Sequence, residues 1–160
     1  MAKKSYNQKL HPSTNLPRIE EINDPKAIAS YGGSKMLIAP PLAYDSLMRL
    51  IPLGMLTTYE ALRKHLATQA GADFTCPLTA GIFINIVAGA SAEREAEGSS
   101  DLVPYWRTLK KNGELNEKYP DGIEGQKHIL QQEGHVVVQR GKRYFVQEFQ
   151  EKLCDLSANI

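Results

Sequence analysis

The chain has 160 residues, of which 42% are hydrophobic and 23% are charged, and its formal net charge is +1 at pH 7. This size predicts one globular domain with a single core and is short for two domains. The near-neutral charge excludes a protein that holds nucleic acid mainly through a large basic excess, so any nucleic-acid binding must depend on local geometry.

Cysteine usage and hydropathy set two further limits. Cys76 and Cys154 form no CxxC pair, which predicts neither a disulfide framework nor a metal site. No apolar run approaches the roughly 18 residues of a membrane-spanning helix. The first residues lack the apolar stretch of a signal peptide. We therefore expect a cytoplasmic protein that does not enter a membrane.

Prolines punctuate the first 40 residues, which show little periodicity. They predict an extended N-terminal arm over residues 1–40 that wraps the body of the protein. The segment GGSK at 32–35 lacks the full glycine spacing of a phosphate loop and predicts a plain turn.

Two helices are predicted in the middle of the chain, after a short one that begins at Pro41 and ends near residues 52–54. The segment TTYEALRKHLA predicts a helix with Thr57 as its cap and Glu60 completing a capping box. Pro77 begins the next helix, in which apolar residues recur at fourfold spacing from Leu78 and Ile82 onward. Two helices joined by a short turn predict a helix-turn-helix.

The C-terminal part predicts a turn at Gly113 and a helix capped by Asp121 and stopped by Gly134. The segments HVVVQ and RYFVQEF flank a short turn, which is a hairpin signal. The whole pattern predicts a mainly α domain with a small β hairpin, similar to a winged helix.

Four segments in one order resemble the DNA-binding C-terminal domain of alkylguanine-DNA alkyltransferases, also called methylated-DNA-protein-cysteine methyltransferases. They are IPLGMLTTY at 51–59, Thr79-Ala80-Gly81, Pro104-Tyr105-Trp106-Arg107 and Glu133-Gly134-His135. The resemblance covers residues 41–135, with an insertion near 92–100. It leaves the arm at 1–40 and a hairpin and tail at 136–160 outside this domain.

In that family the active loop reads Pro-Cys-His-Arg, and the cysteine accepts the alkyl group. Here Tyr105 stands at the cysteine and Trp106 at the histidine, while Arg107 matches. A phenol, with a pKa of about 10, is mostly neutral at pH 7 and is a poor acceptor. The resemblance therefore implies no enzyme activity and no cofactor. It also implies that Glu133 lies near this loop, bound to Trp106, Tyr105 or Arg107; the alternative is an exposed Glu133.

The resemblance also implies a DNA-binding surface. Leu78 stands at the family's arginine that fills the gap of a flipped base, and its spacing with Ile82 favours burial over an apolar wedge. Small residues at the helix start would leave backbone N–H groups for phosphates. Tyr59 matches a tyrosine that lies against the DNA backbone, although it also fits the helix's apolar face. The residues expected to contact DNA are Thr58, Tyr59, Leu78, Thr79, Ala80, Gly81, Lys110 and Lys111.

Three functions fit these residues. The first is an alkyltransferase-like protein that binds double-stranded DNA, recognises alkylated guanine without repairing it and passes the lesion to repair proteins. Its base pocket would be formed by Tyr105, Trp106, Arg107 and Glu133. The second is a repurposed scaffold that binds protein or RNA with that pocket filled. The third is an enzyme using Cys76, whose pKa a helix N-terminus would lower; no spacing joins it to a base such as His128 or His135.

Overall fold

The structure is a computed structural model that describes residues 3–159, with side chains for residues 3–157. It is mainly helical, and the bounds of its helices and strands follow in chain order. They are α1 (Tyr6–Lys9), β1 (Arg18–Glu21), α2 (Pro25–Tyr31), β2 (Lys35–Ile38), α3 (Pro41–Met48), β3 (Thr57–Thr58), α4 (Tyr59–Ala70), β4 (Phe74–Thr75), α5 (Pro77–Ala96), β5 (Thr108–Leu109), α6 (Gly122–Gln132), β6 (Val137–Arg140) and β7 (Arg143–Val146). Within residues 3–159, no helix has both the length and the apolar character needed to cross a membrane.

The strands form three small sheets. Strand β2 pairs antiparallel with β1 and parallel with β4. Strand β3 pairs in parallel with β5, and this pairing aligns the start of α4 with the segment that follows the Tyr105 loop. Strands β6 and β7 form the predicted hairpin, with Val137 opposite Val146.

The first 40 residues differ from the predicted extended arm. They contain two helices and two strands, and α1 packs on α5, where the Glu93 carboxylate accepts the backbone N–H groups of Tyr6 and Asn7 at 2.9 and 3.0 Å. The prolines indicated breaks correctly, but they carry no information about the strand pairing or the distant glutamate. The division of the chain at residues 40 and 135 remains a prediction.

After residue 40, the helix boundaries agree with the sequence except at the start of α4 and the end of α3, and the predicted cap of α6 differs in its contacts. The cap of α4 is Thr58, whose Oγ1 accepts the N–H of Ala61 at 3.1 Å, and the prediction of Thr57 was wrong by one residue because Thr57 lies in the buried β3. Helix α3 ends at Met48, before the predicted turn. Asp121 precedes α6 as predicted but has a φ of 64°, and its side chain makes no capping hydrogen bond.

Two buried clusters meet at the Tyr105 loop. The larger one joins α3, α4 and α5, and Tyr105 packs against it. The smaller one is centred on Leu56, Leu109 and Leu130, and Trp106 packs against it. The loop therefore lies at the junction of the two halves of the core.

Candidate nucleic-acid interface

Helix α5 begins with an exposed apolar side chain. Leu78, its second residue, is 72% exposed, and Ile82, one turn further, is 49% exposed. The prediction that Leu78 is buried was therefore wrong. Most of the circumference of α5 is apolar, and the face that enters the core carries Ala80, Ile84 and Val87 instead. Fourfold spacing identified a helix but not its buried face.

The small residues after Leu78 differ in what they offer. The Ala80 side chain is fully buried, and its N–H donates to the Cys76 carbonyl at 3.1 Å, so neither is available to a phosphate. Thr79 precedes this first intrahelical bond, which leaves its N–H at the open helix end. A Cβ atom at Gly81 would lie 4.0 Å from Cε2 of Tyr59, which is an ordinary van der Waals distance, so Gly81 faces the Tyr59 ring without being crowded by it.

A cavity of about 280 Å³ opens beside this helix start. It is lined by Leu78, Gly81, Ile82 and Asn85 of α5, by Tyr59 of α4 and by Pro77, Lys110, Asn116, Glu117 and Lys118. Lys110 and Lys118 bring two positive charges and Glu117 one negative charge to a site whose α5 wall is largely apolar. This combination can hold a phosphate backbone while an apolar side chain contacts the bases.

A partly buried polar network includes three residues of the cavity wall, Tyr59, Asn85 and Asn116. The Nδ2 atom of Asn116 lies 2.6 Å from the Tyr59 hydroxyl and 2.8 Å from Oδ1 of Asn85. The Tyr119 hydroxyl donates to the Thr108 carbonyl at 2.9 Å. Burial raises the pKa of Tyr59, so its hydroxyl is neutral. The network fixes Tyr59 at the cavity wall.

Sequence reasoning missed Asn85, Asn116 and Tyr119. Asn85 lies one turn beyond Gly81, and that spacing was a usable signal. Asn116 and Tyr119 come from a loop with no pattern that points to the site, and only the tertiary structure brings them beside Tyr59.

The loop with Tyr105 and Trp106 forms one 3-10 turn, Tyr105–Arg107. The Tyr105 ring packs edge to face on both Trp106 and Tyr119, with centroids 5.2 Å apart in each pair. Burial, with smaller contributions from the carboxylates of Asp121 and Glu95, raises the pKa of Tyr105 to about 12. Tyr105 is thus a neutral phenol at pH 7, which makes it a poor nucleophile.

Glu133 is anchored by two residues of that loop. Its carboxylate accepts the Trp106 indole N–H at 3.0 Å and two N–H groups of Arg107, from Nε at 2.9 Å and Nη2 at 2.8 Å. Arg107 also donates to the Ile51 carbonyl at 2.7 Å. Burial pushes the Glu133 pKa up, but these hydrogen bonds outweigh burial and hold the pKa below its ordinary value. The predicted partnership is confirmed for Trp106 and Arg107, and the alternative of an exposed Glu133 is wrong.

The two lysines expected to bind phosphates line different cavities near the start of α5. Lys110 lines the 280 Å³ cavity. Lys111 lines another cavity of about 810 Å³ together with Arg63, Lys64 and Pro77. Basic side chains therefore line both of the cavities that Pro77 borders.

The residues considered for catalysis do not form a nucleophile–base set in the described hydrogen bonds. Cys76 is at the N-cap position of α5 but makes no side-chain capping hydrogen bond. His135 is buried, and burial lowers its pKa. Within residues 3–159, no cluster of three or more histidine, cysteine, aspartate or glutamate residues is placed to hold a metal ion.

Comparison with known proteins identifies the fold. No protein-family model matches the chain, and no curated protein matches it in sequence. The chain is similar to S. pombe Atl1, solved with damaged DNA containing O6-carboxymethylguanine, at a TM-score of 0.50 and 18% identity over 72% of this chain and 94% of that one. It is also similar to a structure of S. pombe ATL in complex with DNA, at a TM-score of 0.50 and 21% identity over 71% and 92%. The chain therefore has the mainly helical, helix-turn-helix fold of the alkyltransferase-like type, as predicted.

Proposed function

We propose that this protein is an alkyltransferase-like DNA-binding protein that recognises alkylated guanine in double-stranded DNA without repairing it. The observation that carries the proposal is the exposed Leu78 beside a cavity with Lys110 and Lys118 on its walls. Leu78 lies one turn from Ile82, which is also exposed, and a contiguous exposed apolar patch marks an interaction site. Its position at a helix start, between basic side chains, favours a nucleic acid as that partner.

The fold supports the choice of DNA. Atl1, which shares this fold, was crystallised with DNA containing O6-carboxymethylguanine. In the proposed complex the start of α5 enters a groove, Thr79 directs its N–H to a phosphate, Gly81 allows close approach, and Tyr59 lines the opposite wall. The expected contact by Thr58 is not part of the proposal, because its side chain is buried and its Oγ1 caps α4. Lys110 and Lys111 bind the backbone on either side of the helix start.

The proposed base pocket is the loop of Tyr105, Trp106 and Arg107 with Glu133. The Glu133 carboxylate holds Trp106 and Arg107 rigidly, which supports a preorganised aromatic wall for an extruded base. The neutral Tyr105 phenol and the absence of a histidine at position 106 support binding without alkyl transfer. The bound lesion would then pass to other repair proteins.

The test is direct binding with a chemical control. Fluorescence anisotropy measures the affinity for labelled duplexes that contain O6-methylguanine, O6-carboxymethylguanine or guanine. We expect tighter binding to the alkylated duplexes, and mass spectrometry should show no alkyl group on the protein after incubation. Equal affinity for all three duplexes would refute lesion recognition, and an alkylated protein would refute the non-enzymatic assignment.

One observation favours a second candidate, a scaffold that binds protein or RNA. The Tyr105 ring already packs on Trp106 and Tyr119, so part of the proposed base pocket is occupied by the chain itself. If this packing stays closed, duplex DNA has no effect on Trp106 fluorescence at low salt. Quenching by the lesion duplex would exclude the closed pocket.

A further inference from the structure

The turn between β6 and β7 concentrates positive charge. Arg140, Lys142 and Arg143 are all exposed and surround Gly141, whose positive φ of 64° forms the turn. The register places Arg140 directly opposite Arg143. Like charges at opposed strand positions destabilise a hairpin. The hairpin therefore carries an electrostatic cost that a polyanion would remove.

Neighbouring acidic residues neutralise this turn only in part. Arg143 Nε lies 3.7 Å from the Glu114 carboxylate, so one of the three cations has an acidic partner. Arg140 lies over the Phe145 ring at 5.3 Å. Among the described side chains, neither Arg140 nor Lys142 forms an ion pair within 4.0 Å. The tip of the hairpin remains positively charged.

The hairpin is continuous with the proposed DNA surface. A cavity of about 260 Å³ is lined by Lys110, Lys142 and Arg143, with Glu114 and Glu117 also on its wall. Lys110 lines the 280 Å³ cavity beside Leu78 as well. Lys110 and Glu117 line both cavities and thus connect the start of α5 to the hairpin. We call the series Lys118, Lys110, Lys142 and Arg143 the basic strip.

We propose that the tip of the β6–β7 hairpin binds the phosphate backbone of duplex DNA that lies across the start of α5. The inference rests on the proposed function and extends its footprint along the basic strip. Duplex DNA presents a regular line of phosphates, and guanidinium groups match phosphate oxygens with two parallel donors. These contacts carry no base information, so the hairpin contributes affinity and not lesion preference.

The test compares two charge-matched triple variants of the full chain. One is Arg140→Ala/Lys142→Ala/Arg143→Ala, and the control is Lys4→Ala/Lys26→Ala/Lys35→Ala, which removes three exposed cations from the N-terminal part. Anisotropy measures the affinity for a 24-base-pair duplex, with and without O6-methylguanine, between 50 and 200 mM salt. Circular dichroism checks that both variants fold.

The hairpin variant should lose on the order of tenfold in affinity at low salt, and the slope of log affinity against log salt should fall by about two to three. Its preference for the lesion should stay that of the parent. The control should change the slope by less than about one. An unchanged slope in the hairpin variant, or an equal change in both variants, overturns the inference about the hairpin. The proposed function still stands in that case if the unmodified protein binds duplex DNA. Failure of the parent to bind duplex DNA, or preference for single-stranded RNA, overturns both.

Discussion

Replacing Leu78 with alanine tests how the start of α5 meets DNA. The side chain is 72% exposed in the free protein, so that share of its surface is available for burial in a complex. Complete burial of a leucine is worth about 1.5–3 kcal/mol, and the exposed share therefore corresponds to about 1–2 kcal/mol. The expected result is a loss of about 5- to 30-fold in affinity for duplex DNA.

The same change should leave the fold intact. An exposed side chain away from caps and buried networks contributes within about 0.5 kcal/mol to stability, and alanine is the better helix former. Leu42 provides a matched control, because it follows Pro41 at the second position of α3 as Leu78 follows Pro77 in α5. Leu42→Ala, at a side chain that is 41% exposed, should bind like the parent.

The assay combines anisotropy with 2-aminopurine placed in the duplex next to the alkylated guanine. If Leu78 wedges between base steps, the parent unstacks 2-aminopurine and raises its fluorescence, whereas the alanine variant does not. Parent-like affinity and parent-like fluorescence in Leu78→Ala would refute the wedge. A lower melting temperature in Leu78→Ala but not in Leu42→Ala would show instead that Leu78 supports the fold.

Further predictions concern the loop and the helix cap. Glu133→Ala leaves the Arg107 guanidinium without its carboxylate, and we expect a loss of about 3 kcal/mol in stability. Calorimetry should show this loss as a melting temperature lower by about 6–12 °C, and a shift below about 2 °C would contradict the pairing. The pKa of Glu133 is held below its ordinary value of 4.5 in the folded protein. The stability contributed by the Glu133 carboxylate is therefore complete above pH 4.5 and is lost as the pH falls through the lower folded-state pKa. In this acidic range the stability of Glu133→Gln should depend less on pH than that of the parent. Tyr105→Cys should not accept a methyl group from O6-methylguanine DNA, because Trp106 cannot take the thiol proton. Methyl transfer should require the double variant with Trp106→His, and transfer to the single variant would disprove the need for a histidine. Thr58→Ala should cost about 1 kcal/mol in urea unfolding through loss of the α4 cap, and an unchanged midpoint would rule out that cap.

Local patterns predicted the elements that depend on neighbouring residues. Pro77 began α5 as expected, the RGK turn formed the hairpin, and Gly71 ended α4 in a left-handed conformation. The link from Glu133 to the Tyr105 loop was also expected, but it came from a family resemblance and not from periodicity. Each of these features is either encoded within a few residues or carried by an ordered set of motifs.

The remaining features depend on contacts between distant segments. Helix α5 is apolar on most sides, so its sequence alone could not exclude Leu78 from the core; packing against α1, α3 and α4 selected the face that is buried. The N-terminal residues read as an arm because strand pairing and the Glu93 contact lie outside any local window. The sequence by itself determined where the hairpin and the helices after residue 40 begin and end to within a few residues, since caps, prolines and glycines act locally. Only the tertiary structure decided which surface of α5 faces solvent, because burial depends on which partner helices occupy the other faces.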